Sequence, residues 1–120
     1  MPVRDDLSRL HDMLGAAQDA IGLAAGRRRH DLDTDVGLRL ALQKAIEIIG
    51  EAAAKVSPDC RRRHPPIAWA DITGMRHRLT HDYFRVDLDV VWSTVRDDLP
   101  ALARLLEEAV RREEDGARGP

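Results

Sequence analysis

Apolar residues recur at spacings of three and four along most of this chain, a period that suits helices and little else. The first such segment runs from about Val3 to Ala25, with Leu7, Leu10, Leu14, Ala17, Ile21 and Ala24 on one face. Gly26 and the run Arg27-Arg28-Arg29-His30 end it. Asp33, Thr34 and Asp35 offer N-caps for a second helix with the stripe Leu38, Leu42, Ala45, Ile49, Ala52 and Val56. Ser57-Pro58-Asp59 stops that helix, because the residue before a proline is driven out of the helical region. A loop over 57–66 holds Arg61-Arg62-Arg63-His64 and Pro65-Pro66. A third helix starts near Ile67 or, after a break, at Ile72 with Asp71 as cap, and buries Ile72, Met75 and Leu79. The fourth runs from about Asp87 to Arg112 on Leu88, Trp92, Val95, Leu99, Leu102, Leu106 and Ala109, with a kink expected at Pro100.

Four amphipathic helices with short connections predict an all-α, up-and-down helical bundle over residues 1–112, followed by a flexible C-terminal tail, 113–120. Composition agrees. Sixteen Ala and fourteen Leu supply a quarter of the 120 residues, while Trp69, Tyr83, Phe84 and Trp92 are the only aromatics, which argues against a sandwich or barrel. Trp69 and Trp92 are expected in the core. The single Cys60 excludes an internal disulfide and a zinc cluster built from cysteines, and is expected to be an inert thiol. The apolar stretches fall short of the roughly 20 residues that cross a bilayer, and the N-terminus has no signal-peptide apolar core. A soluble, cytoplasmic protein with no membrane association is expected.

The net charge of −2 hides a pattern. Residues 57–85 carry six Arg against three acidic residues, together with His64, His77 and His81, whereas both flanks are acidic overall. A phosphate feels the local patch, because salt screens charges beyond about 8 Å. The densest part is Met75-Arg76-His77-Arg78-Leu79-Thr80-His81-Asp82-Tyr83-Phe84-Arg85. Arg offers a planar, permanently charged fork for phosphate, and His exchanges a proton near neutral pH. Such groups suffice to cleave RNA without a metal. One deprotonates the ribose 2′-hydroxyl, Arg stabilises the charge on the phosphorane, and an acid protonates the departing 5′-oxygen. On a straight helix, however, Arg76 and His81 diverge by about 140°. Either the helix breaks near His81, or two protomers contribute across a two-fold interface.

The spacing Arg76, four residues, His81, one residue, Tyr83 resembles the Arg-x4-His-x-Tyr signature of HepT-like toxins in the HEPN ribonuclease superfamily. The flanking segments Ile48-Ile49-Gly50-Glu51-Ala52, Trp69, Asp71-Ile72-Thr73-Gly74-Met75, Val86-Asp87, Val91-Trp92 and Asp98-Leu99-Pro100 are similar to that family too, so the likeness spans roughly residues 4–110. The resemblance implies a HEPN-like helical bundle that forms a homodimer, with the motifs of two protomers lining a cleft. It implies a metal-independent endoribonuclease that uses no cofactor, acts on RNA and pairs with a nucleotidyltransferase antitoxin. In that scheme Arg76 and His81 are catalytic. Tyr83 is the tyrosine that the antitoxin modifies with AMP from ATP, adding charge and bulk where an RNA phosphate docks.

Blander roles stand beside these. Arg76 and His81 also suit a solvated helix face, and Tyr83 a ring that anchors a helix end. Arg78, Arg85, Arg27, Arg28, Arg61 and Arg62 are candidate RNA contacts, but such runs also occur as solvated loops. Glu51 is either a hydrogen-bonded carboxylate within the bundle or surface, and His77 has no assigned role. The pairs His11-Asp12, His30-Asp31 and His81-Asp82 lack further ligands at metal-binding spacing, so no metal site is expected. The alternative function is a non-catalytic helical scaffold that pairs with a nucleotidyltransferase.

Overall fold

Asp35 begins the long second helix of the bundle, accepting the N–H of Leu38 at 3.0 Å as the sequence predicts of a cap. The computed structural model describes residues 2–79 and 85–117, with side chains over 5–79 and 85–116. Within them lie α1 (Pro2–Ala24), a short α2 (Asp31–Thr34), α3 (Val36–Ala54), α4 (Pro58–Arg63), α5 (Trp69–Thr73), α6 (Met75–Arg78), α7 (Leu88–Ser93) and α8 (Leu99–Ala117). A π-helical turn, Thr94–Asp98, joins α7 to α8. Among the described residues the fold is an all-α bundle, and α1, α3 and the α7–α8 rod carry most of its core.

The core follows the predicted stripes, with one rotation. Every stripe position of α3, and Val56 beyond it, is buried. In α1 the buried set is Leu10, Met13, Ala16, Ala17 and Ala20, while Leu14 and Ile21 lie at its edge. The cause is contact with α3 on one side and α8 on the other, which widens the buried face beyond one stripe. Gly26, at φ +73°, reverses the chain after α1 in a conformation that side chains with a Cβ disfavour.

Three expectations need correction. The stretch read as a loop is partly helical. Ser57 does not only stop α3 but caps α4, its hydroxyl accepting from the N–H of Cys60 at 3.2 Å, with Pro58 in the first turn. The third helix is two short helices, α5 and α6, divided at Gly74, and Asp71 sits inside α5 rather than capping it. A Cβ at Gly74 would meet the carbonyl of Ala70 at 3.3 Å. The C-terminal helix runs past the expected boundary at Arg112 to Ala117, and buries Glu113. The kink expected at Pro100 takes the form of the preceding π turn. Proline has no N–H for the carbonyl of Arg96, and the wider register accommodates the loss.

The ends of the bundle are locked by polar contacts. Asp6, only 3% exposed, accepts from the Ser57 backbone N–H at 2.8 Å and from its hydroxyl at 2.7 Å, tying the start of α1 to α4. At the other end Arg29 donates to Asp89 at 2.6 Å, joining the turn after α1 to α7. Asp6→Ala deletes two charge-assisted hydrogen bonds from a buried position. We expect a loss of about 2 kcal/mol, read as a lower urea midpoint at unchanged slope.

Candidate active site

α5 and α6 face the core through Ile72, Met75 and Leu79, each at most 4% exposed, so Arg76, His77 and Arg78 are turned outward. α5 lies close against α3, where a Cβ on Gly50 would stand 3.4 Å from the carbonyl of Ile72. One residue on, Glu51 meets Arg76, with Oε1 3.8 Å from Nη1 and both side chains about half exposed (54% and 53%). Glu51 is thus a surface carboxylate facing the arginine of the signature, which resolves the alternatives left open by its sequence.

The N–H of Asp87 donates to the carbonyl of Leu79, whereas eight residues of helix would hold these two about 12 Å apart. This bond brings Leu79 and Asp87 together. His81 and Tyr83 themselves lie outside the described residues. Asp87 also caps α7 by accepting from the N–H of Asp89 at 3.0 Å and of Val90 at 3.2 Å. Arg85 is exposed. Arg78 lines a groove of about 330 Å³ between α5–α6 and α8, floored by Ile72, Met75 and Leu102 and rimmed by Asp71, Asp97 and Asp98.

The other basic candidates divide. Arg28 is exposed. Arg27 is held by Asp35 at 2.8 Å and Asp31 at 3.4 Å, and these carboxylates raise its pKa, Asp35 foremost. Arg62 pairs with Asp59. Arg61 donates to the carbonyl of Ala53 at 2.9 Å and lies 5.8 Å above the Trp69 ring. A phosphate would have to displace these partners. Nor do the two runs share a cleft within one chain. Arg27–Arg29 follow the last turn of α1, while α4 is tied to its first turn, about 35 Å away for a 23-residue helix. Trp92 is in the core as expected, while Trp69 is half-buried at its edge and donates from Nε1 to the carbonyl of His64 at 3.2 Å.

A second polar cluster was not anticipated. Glu113, 7% exposed, receives Arg63 through Nη2 on Oε1 at 2.7 Å and Nε on Oε2 at 3.0 Å. His64, 5% exposed, meets Oε2 through Nε2 at 2.7 Å. The Arg63 guanidinium, then His64, holds the Glu113 carboxyl below its ordinary range against the opposing effect of burial. Cys60 lies alongside, fully buried, and burial foremost pushes its thiol up to about 11. The i, i+4 spacing of Cys60 and His64 was the one available sign in the sequence; Glu113 is 49 residues further on.

The family described as Ribonuclease HepT-like matches residues 13–109. A protein of Methanocaldococcus jannaschii with the provisional name RNase MJ1216 is 31% identical over 92% of this chain and 92% of its own length. One of Thermococcus cleftensis, provisionally named ribonuclease HepT, is 41% identical over 65% of this chain and 71% of its own. The chain belongs to the HepT-like ribonuclease family. An RNase provisionally named TTE0752 from Caldanaerobacter subterraneus subsp. tengcongensis is similar too, at 31% identity over 87% of this chain and 93% of its own. No solved structure is a significant match. Membership makes this HepT-like protein an endoribonuclease by class, and among its described residues no helix is long and apolar enough to cross a membrane.

Proposed function

We propose that this chain is the metal-independent endoribonuclease toxin of a toxin–antitoxin pair, with Arg76 and His81 as its catalytic residues. The observation that carries the reading is the exposed presentation of Arg76 on a short, broken helix beside a turn, in a chain of a ribonuclease family. A guanidinium open to solvent on one side is free to grip a phosphate with its fork. His81 exchanges the proton at the 2′-hydroxyl or the 5′-oxygen, and Arg76 stabilises the phosphorane. Two copies of the motif meet in a homodimer and line one cleft. Arg78 and Arg28 are the RNA contacts this reading favours, since Arg27, Arg61 and Arg62 are engaged within the protein.

A nucleotidyltransferase antitoxin neutralises the toxin by transferring AMP to Tyr83. The phenol oxygen attacks the α-phosphorus of ATP, pyrophosphate leaves, and the phenolic proton passes to solvent. The product carries negative charge two residues from His81, which repels the RNA backbone.

Purified protein incubated with RNA in EDTA should cut it and leave 2′,3′-cyclic phosphate ends. No cleavage by protein whose intact mass shows an unmodified Tyr83 would favour the scaffold reading instead. Protein co-expressed with the nucleotidyltransferase should gain mass in multiples of one AMP unit, and Tyr83→Phe should gain none. A Tyr83→Phe variant that still gains that mass places the modification elsewhere.

A further inference from the structure

The buried cluster at α4 and the end of α8 joins donors of three kinds. The Sγ of Cys60, an imidazole nitrogen of His64 and a carboxylate oxygen of Glu113 all lie within 4.8 Å of one another. All three residues are buried, at 0%, 5% and 7% exposure. Cys60 lies on α4, His64 is the residue that ends that helix, and α8 brings Glu113 to them. Thiolate, imidazole and carboxylate are the donor set of a borderline-soft divalent ion such as zinc, whose bonds of about 2.0–2.3 Å put tetrahedral donors roughly 3.3–3.7 Å apart.

The surroundings suit such an ion in two further ways. Asp6 is near enough to act electrostatically on both Cys60 and Arg63, so two buried carboxylates, Asp6 and Glu113, share the field of one guanidinium. A dication with a thiolate brings that group to zero net charge, which a buried site requires. Arg63 donates to both oxygens of Glu113, and its bond to Oε1 can orient the carboxylate while Oε2 turns to the metal. A groove of about 250 Å³, lined by Arg63, His64, Pro65, Leu105 and Arg112, opens beside His64 and gives an ion an approach to it.

We propose that Cys60, His64 and Glu113 bind one zinc ion that fastens α4 to the C-terminal helix. None of its ligands belongs to the Arg76–His81 pair, so its role is structural. Binding costs the short His64–Glu113 hydrogen bond, which opens by roughly an ångström to admit the metal.

The test uses the full chain, stripped with a chelator and titrated with zinc. One ion should bind per chain, and Tm should rise with zinc concentration. Cobalt in place of zinc should give a near-ultraviolet sulfur-to-metal charge-transfer band, which only a thiolate ligand produces. Cys60→Ser, which keeps the shape of the buried side chain, should lose the band and bind zinc about 100-fold more weakly. The wild-type cobalt spectrum needs no variant to fold. A wild-type protein that shows no such band overturns the proposal. So does zinc binding of undiminished affinity in Cys60→Ser, which would place the ion on other histidines.

Discussion

Alanine at Arg76 should lower RNA cleavage by about 10²–10³-fold, and alanine at His81 by about 10²–10⁴-fold. The Arg76 effect is separable from folding. Its recorded ion pair, with Glu51 at 3.8 Å, joins two side chains that are each about half exposed, and such pairs contribute about 0–1 kcal/mol. Arg76→Ala should therefore keep the wild-type helicity and Tm while losing turnover. Arg76→Lys should recover little, because an ammonium is a point charge and lacks the planar fork that bridges two phosphate oxygens. The double variant should be scarcely worse than the worse single, since groups that act in one step do not add. Single-turnover cleavage of a fixed RNA checks all three statements. Activity within threefold of wild type in Arg76→Ala would remove this arginine from the reaction.

What could be read from the sequence was local. The stripe of α3, its cap at Asp35 and the cap of α7 at Asp87 depend on neighbours within four residues, and the chain spells them out. Ser57-Pro58-Asp59 was legible too, but it signals two things at once. The same residues that end α3 cap and begin α4, and the stop hides the start. The division at Gly74 depends on how α5 meets the end of α3, a packing that no periodicity encodes. Arg76 could be singled out by its spacing to His81, yet its partner Glu51 is 25 residues earlier and comes to it only through the fold. Most opaque was the end of α8. Glu113-Glu114-Asp115-Gly116 reads as a solvated acidic tail, and one of its carboxylates is buried only because Arg63, 50 residues away, is there to receive it.

Glu113→Ala should destabilise the protein by about 3 kcal/mol at neutral pH, a fall in Tm on the order of 10 °C. The carboxylate satisfies two cations or donors at once, Arg63 through both oxygens and His64 through Oε2. Removing it strands them unequally. The Arg63 side chain is 45% exposed and regains water, while the His64 side chain, 6% exposed, keeps an unmet ring nitrogen. The loss is thus set more by His64 and by the severed link from α4 to α8 than by the guanidinium, which places it at the low end for a broken buried pair. Acid reveals the same bond from the other side. The folded protein holds Glu113 below its ordinary 4.5, chiefly through Arg63, so its contribution is complete above that value and is lost as pH falls through the lowered one. Urea midpoints of wild type and Glu113→Ala should therefore differ most near neutrality and converge in acid. A gap that stays constant from neutral pH to about pH 3 would mean that folding does not shift the titration of this carboxyl.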